Sequence, residues 1–163
     1  MKETTHLEGV YTATKKNGET YFRSSITFRR KHISLGSFSN ALSAHEAYKC
    51  ACNLIANTDI GIIDYDPSDI LPFEKWVIII NFRDNHIYLG NPIYVRPKFF
   101  YYYLSPDHVF KFDSDDLFYY SSHKIMARGN HYFVADYGMQ VSILSRYGIK
   151  SYAVPGVDYK FLN

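Results

Sequence analysis

Apolar and polar residues alternate in three short runs between Tyr11 and Leu35. Two turn signals separate the runs, Lys16-Asn17-Gly18-Glu19 and Arg29-Arg30-Lys31. Asn-Gly predicts a hairpin of type I′, whose two central residues both need φ > 0. A period of two sends Phe22, Ser24, Ile26 and Phe28 to one face. It sends Tyr21, Arg23, Ser25, Thr27 and Arg29 to the other. After Gly36 the period lengthens. Ala44, Ala47, Tyr48, Ala51, Leu54 and Ile55 follow the i, i+3, i+4, i+7 rule, which predicts a helix with one apolar face. Ser39 or Asn40 supplies the N-cap. The small residues of that face let the helix lie close over the three strands.

Farther along, Asn57 to Asp69 reads as a linker, with Gly61, Pro67 and the acids Asp59, Asp64, Asp66 and Asp69. Ile60, Ile62, Ile63 and Tyr65 anchor it to a surface. Lys75 to Phe82 is a β-branched, almost wholly apolar run and predicts a strand. Arg83-Asp84-Asn85 makes the turn, and His86 to Gly90 returns as a second strand, echoing the earlier hairpin. The five aromatics Phe99 to Tyr103 predict a strand aromatic on both faces, either fully covered or offering rings for unpaired bases. Ser114 caps a predicted helix from Asp115 to about Arg128. His131 to Ala135 is a strand, and Asp136 caps a helix to about Tyr147. A hairpin-like stretch over 152–161 closes the chain. The fold class is therefore α+β. A three-stranded antiparallel sheet packs on one helix (residues 1–57), a linker follows (58–72), and a second α+β domain has hairpins and two helices (73–163).

Apolar residues make up 47% of the chain, which is enough for a core and excludes a disordered chain. Charge is unevenly spread. Residues 1–57 hold eight Lys or Arg and four acids, whereas 58–163 hold ten and twelve. The asymmetry predicts different partners for the two parts. Cys50 and Cys52 stand at i, i+2 on one helix and so face apart, which disfavours a mutual disulfide and predicts a reducing compartment. Met1 to His6 lacks an apolar core and no run is long enough to span a membrane, so the expected location is the cytoplasm, with no membrane partner.

Gly9-Val10-Tyr11, the strand from Tyr21 to Ile26, Ser34-Leu35-Gly36-Ser37-Phe38 and the Ala44-x-x-Ala47-Tyr48 helix resemble the apetala/ethylene-response-factor DNA-binding domain. Relatives of that domain occur in phage and mobile-element proteins, often beside homing nuclease domains. The resemblance implies a sheet that enters the major groove of double-stranded DNA. Carried over strand by strand, it implies Tyr11, Ala13, Ser25, Thr27, His32 and Ser34 as base-facing positions. This chain has these residues where the plant pattern has arginines and tryptophans. Lys15, Lys16, Arg23, Arg29, Arg30 and Lys31 are the expected phosphate contacts.

Catalytic motifs are absent: there is no Gly-rich phosphate loop, Gly-x-Ser-x-Gly, His-Glu-x-x-His or Cys-x-x-Cys. His123, Asn130 and His131 do not take the spacing of a ββα-metal nuclease. Asp113, Asp115 and Asp116 read first as a helix start. The expectation is a DNA-binding protein without enzymatic activity, cofactor or metal. Two alternatives stand beside it. One is an interaction protein that inhibits a nucleic-acid-guided, CRISPR-associated nuclease (an anti-CRISPR), its acids Asp113, Asp115 and Asp116 gripping a basic channel. The other is a degenerate homing-type nuclease.

Overall fold

The computed structural model describes residues 7–128, 131–136 and 139–143. It is α+β, with three antiparallel three-stranded sheets and three α-helices among the described residues. Strands β1 (Val10–Thr14), β2 (Thr20–Phe28) and β3 (Lys31–Phe38) form the first sheet in chain order, and α1 (Ala41–Ala56) covers one face of it. Asn40 is the N-cap, its side chain accepting the Ser43 N–H at 2.8 Å. Ala44, Ala47 and Ala51 are fully buried, and the Ser24 hydroxyl donates to the Ala44 carbonyl at 2.7 Å. That contact requires the close approach which small residues allow.

The first hairpin turn does not take the expected type I′ geometry. Asn17 keeps a negative φ, and Gly18 alone is left-handed, at φ 89°. Lys15 and Glu19 pair around a three-residue loop with the glycine in its last position. The turn with two positive φ values is Arg29-Arg30, at 49° and 67°.

Lys75 to Phe82 is helical, not extended. Helix α2 runs Phe73–Asn85 and ends at His86 in the left-handed conformation. No strand follows at 86–90, so there is no duplicated hairpin. Every residue from Trp76 to Arg83 is buried. Trp76, Ile79, Ile80 and Phe82 complete the first core with Ile26, Ile33, Leu35, Leu54 and Leu71. Elsewhere α2 packs on β4 (Ile93–Val95) and β5 (Phe99–Ser105) of the second sheet. A helix clamped between two layers is apolar all round. β-Branching costs a helix at most about 0.7 kcal/mol per residue, while burying an isoleucine gains about 1.5–3 kcal/mol. Burial therefore decides. The segment read as a linker is packed too. Ile60, Ile62, Tyr65 and Ile70 lie against the first core, which continues past residue 72 into α2.

The second sheet is β4, β5 and β6 (His108–Asp113). Phe100, Tyr102, Phe110 and Phe112 form a second core with Tyr120, Ile125, Tyr132 and Val134. Burial pushes the Tyr102 hydroxyl up to about 12, and the hydroxyl accepts the Ile125 N–H at 2.9 Å. The helix expected over 115–128 is short. Asp113, not Ser114, caps a 3-10 turn at Ser114–Asp116, α3 spans Leu117–Ser122, and β7 (Ile125–Arg128) is already extended. Ile125 and Val134 need the second core, so the chain turns back to pair β7 with β8 (His131–Asp136). The start of the helix expected after Asp136 is instead strand β9 (Met139–Ser142). The remainder of that helix and the stretch over 152–161 lie outside the described residues.

Candidate nucleic-acid interface

The face of the first sheet away from α1 follows from register, because residues directly opposite each other project to the same side. Tyr11, Arg23 and Ser37 make one row across the three strands. Ala13 stands opposite Tyr21, Ser25 opposite Ser34, and Thr27 opposite His32. All six expected base-facing positions thus share a face. A bulge between Ser24 and Ser25 places Leu35 in the core without shifting Ser34 off that face. Openness differs among the six. Tyr11 is 55% exposed, and Thr27, His32 and Ser34 are exposed as well. Ala13 is half-buried, and Ser25 is 6% exposed, its N–H donating to the Gly9 carbonyl at 3.0 Å.

The expected phosphate contacts divide into two groups. Lys15 and Lys16 stand exposed at the tip of the first hairpin, Lys15 in a solvated ion pair with Glu19 at 3.4 Å. Arg23 lies on the open face, donating to the Tyr21 hydroxyl at 2.8 Å with its guanidinium 5.5 Å from that ring. The contact orients the guanidinium and leaves most of its N–H groups free for phosphate oxygens. Arg30 is exposed in the second turn. Lys31 pairs with Phe28 and so projects toward the α1 side.

Arg29 is committed elsewhere. It donates to the Phe82 carbonyl at 2.5 Å and to the Arg83 carbonyl at 3.3 Å, and its guanidinium lies 4.5 Å from the Phe28 ring and 5.6 Å from Phe82. These are terminal carbonyls of α2, the negative end of its dipole. The same contacts offset the left-handed backbone at Arg29. Arg29→Ala is therefore expected to lower stability by about 1 kcal/mol in urea denaturation and to leave the salt dependence of any nucleic-acid binding unchanged. A reduced salt slope with unchanged stability would refute this assignment.

Beside the open face lies a depression of about 790 Å³ whose lining includes Thr14, Lys15, Lys16, Tyr21, Ser37 and Ser39. Its hydroxyls and two ammonium groups suit a phosphate backbone, and the acid in the lining, Glu19, is paired with Lys15. Thr14, Ser37 and Ser39 were not among the expected contacts. The pairing of Ser37 with Arg23 depends on the bulge, which strand alternation alone does not reveal.

The acidic group is dispersed. Asp113 accepts the Asp115 N–H at 2.9 Å as a cap, Asp115 is exposed and Asp116 is half-buried. Among the described residues no three His, Cys, Asp or Glu gather where they could hold a metal ion. Cys50 and Cys52 are both free. No helix among the described residues is long and apolar enough to cross a membrane, which leaves membrane-spanning strands unaddressed. Compared with known proteins, the chain matches no family model, no curated protein and no solved structure.

Proposed function

We propose that the first sheet is a double-stranded DNA-binding surface that lays its open face in the major groove. The observation that carries this reading is the row Tyr11–Arg23–Ser37 with Thr27 and His32 beside it on one face, while α1 seals the other. The major groove admits a β-ribbon such as the β2–β3 hairpin. Lys15, Lys16, Arg23 and Arg30 surround the face and hold phosphates, and Tyr11, Thr27, His32 and Ser34 meet base edges. Tyr11 and His32 supply ring and imidazole contacts where arginine readout is lacking.

The test is fluorescence anisotropy with a mixed-sequence duplex over a range of salt. Four phosphate contacts predict a log–log slope of about −3 to −4. Arg23→Ala should reduce the slope by about one and keep the fold, since Arg23 is exposed and bonded to Tyr21 alone among the described residues. Binding indifferent to salt, or unchanged by Arg23→Ala with Lys16→Ala, would overturn the reading.

A further inference from the structure

The second sheet carries an aromatic groove that the duplex reading does not use. On β5, Phe100 and Tyr102 point into the core, and Phe99, Tyr101 and Tyr103 point the other way and are half-buried. Ring centroids are 5.2 Å apart from Phe99 to Tyr101 and 6.1 Å from Tyr101 to Tyr103. Phe73 and Tyr65 extend the series below Tyr103. Ile62 and Ile63 form the opposite wall, and Ile63 is 94% exposed. The loop that carries them is pinned, because Gly61 accepts the Trp76 indole N–H at 3.3 Å and donates to Asp64 at 2.8 Å. The groove has two neighbouring parts, about 590 and 360 Å³, which share Ile62, Ile63, Tyr101 and Tyr103 in their linings.

We propose that this groove holds the unpaired bases of a single-stranded nucleic acid, stacked on the rings of β5. Three features favour that occupant over a purely apolar one. A strand presents one ring per two residues, about 6.6 Å of chain, and a sheet face so furnished can stack successive bases. The hydroxyls of Tyr101 and Tyr103 have no hydrogen-bond partner among the described residues and neither is a buried unsatisfied atom, so both are open to solvent on residues that line the groove. They can meet base edges. Finally, one end of the groove is basic. Arg96 lines it together with Asp84, and outside the lining Lys98 is exposed in the turn before β5 and Lys111 stands opposite Tyr101 with its ammonium 4.2 Å from the Phe99 ring. The nearby acids are engaged: Asp84 with Arg83 and Tyr94, Asp64 with the Gly61 N–H, and Asp113 with the Asp115 N–H. The rings, set edge to face along β5, would take the bases and the cations the phosphates. The site is separate from the duplex face and does not depend on it.

Binding of a fluorescent oligo-dT of about 15 nucleotides to the full chain tests the proposal, with an abasic strand of equal length as competitor. Tyr101→Ala and Tyr103→Ala should each weaken binding roughly five- to hundredfold. Ile63→Asp, at an exposed position that leaves the fold intact, should weaken it at least tenfold through charge repulsion. Arg23→Ala should leave oligo-dT binding unchanged, and Tyr101→Ala should leave duplex binding unchanged. Absence of oligo-dT binding would overturn the proposal, as would an abasic strand that competes equally or affinity untouched by Ile63→Asp. Loss through Arg23→Ala instead would assign the single strand to the first sheet. An Ile63→Asp effect on self-association alone would make the groove a contact between copies of the chain.

Discussion

Replacing the buried Arg83 by methionine is expected to destabilise the fold by about 3–5 kcal/mol. The side chain is 4% exposed. Its Nη1 donates to the Leu54 carbonyl at 2.8 Å and the Asn57 carbonyl at 3.1 Å, and its Nη2 donates to the Ile60 carbonyl at 2.8 Å. Nε and Nη2 hold the Asp84 carboxylate at 2.8 and 3.3 Å. One planar fork thus satisfies the C-terminal end of α1, the following loop and an acid on α2. Methionine keeps much of the stem and removes every donor. Each buried carbonyl left without a partner costs about 1–3 kcal/mol, less whatever water can recover. Arg83→Lys should recover part of the loss, since an ammonium cannot span carbonyls on three sides. Urea midpoints for the two variants, read by tryptophan fluorescence of Trp76, check the order wild type, Lys, Met. A methionine variant within about 1 kcal/mol of wild type would mean that water replaces the guanidinium.

Arg83 also shows why part of the fold was illegible from the chain. A short apolar run cannot be assigned to strand or helix by periodicity alone. Trp76 to Phe82 looks extended because Val77, Ile78, Ile79 and Ile80 are β-branched. The helix runs on through Arg83, which reads as part of a turn, and both Arg83 and Asn81 within the run are buried. Asn81 accepts the Val95 N–H at 2.9 Å and donates to the Ile87 carbonyl at 3.2 Å, so it joins α2 to the second sheet. Nothing local announces those partners. The first sheet, by contrast, was legible because strand alternation, turn residues and a small-residue helix agree with one another. The α+β class and the placing of Ser25 and Thr27 on one face of β2 followed from that agreement, whereas Tyr11, Ala13, His32 and Ser34 come from the family resemblance and share that face by register. The roles of the basic residues did not, because charge does not say what it faces. Arg29 looks like Arg30 in sequence, yet its partner carbonyl lies 53 residues away. On β5 the alternation was visible, but which aromatic face is sealed depends on where α3 and β7 pack.

Gly9→Ala is expected to cost about 2–5 kcal/mol from two separable causes. Gly9 has φ 76°, where an L side chain is strained by about 1–2 kcal/mol. A Cβ there would also lie 2.2 Å from Cδ2 and 2.4 Å from Cγ of Tyr48. The ring cannot yield freely. Its hydroxyl donates to Glu8 at 3.3 Å, His45 stacks beside it at 6.1 Å, and the His45 Nδ1 lies 2.9 Å from the Glu8 carbonyl. Nor can the backbone shift alone, since the Gly9 carbonyl receives the Ser25 N–H. A double-mutant cycle with Tyr48→Ala separates the causes. Removing the ring abolishes the overlap and leaves the φ strain, so the two substitutions should couple favourably by about 1–3 kcal/mol. Additive losses would show that overlap carries no cost and that φ accounts for the whole effect. The variant bears on function as well, because Gly9 sets the entry of β1 and hence the position of Tyr11 beside Arg23. Under conditions where Gly9→Ala remains folded, duplex affinity should fall while oligo-dT affinity is kept, since the β5 groove takes no residue from β1.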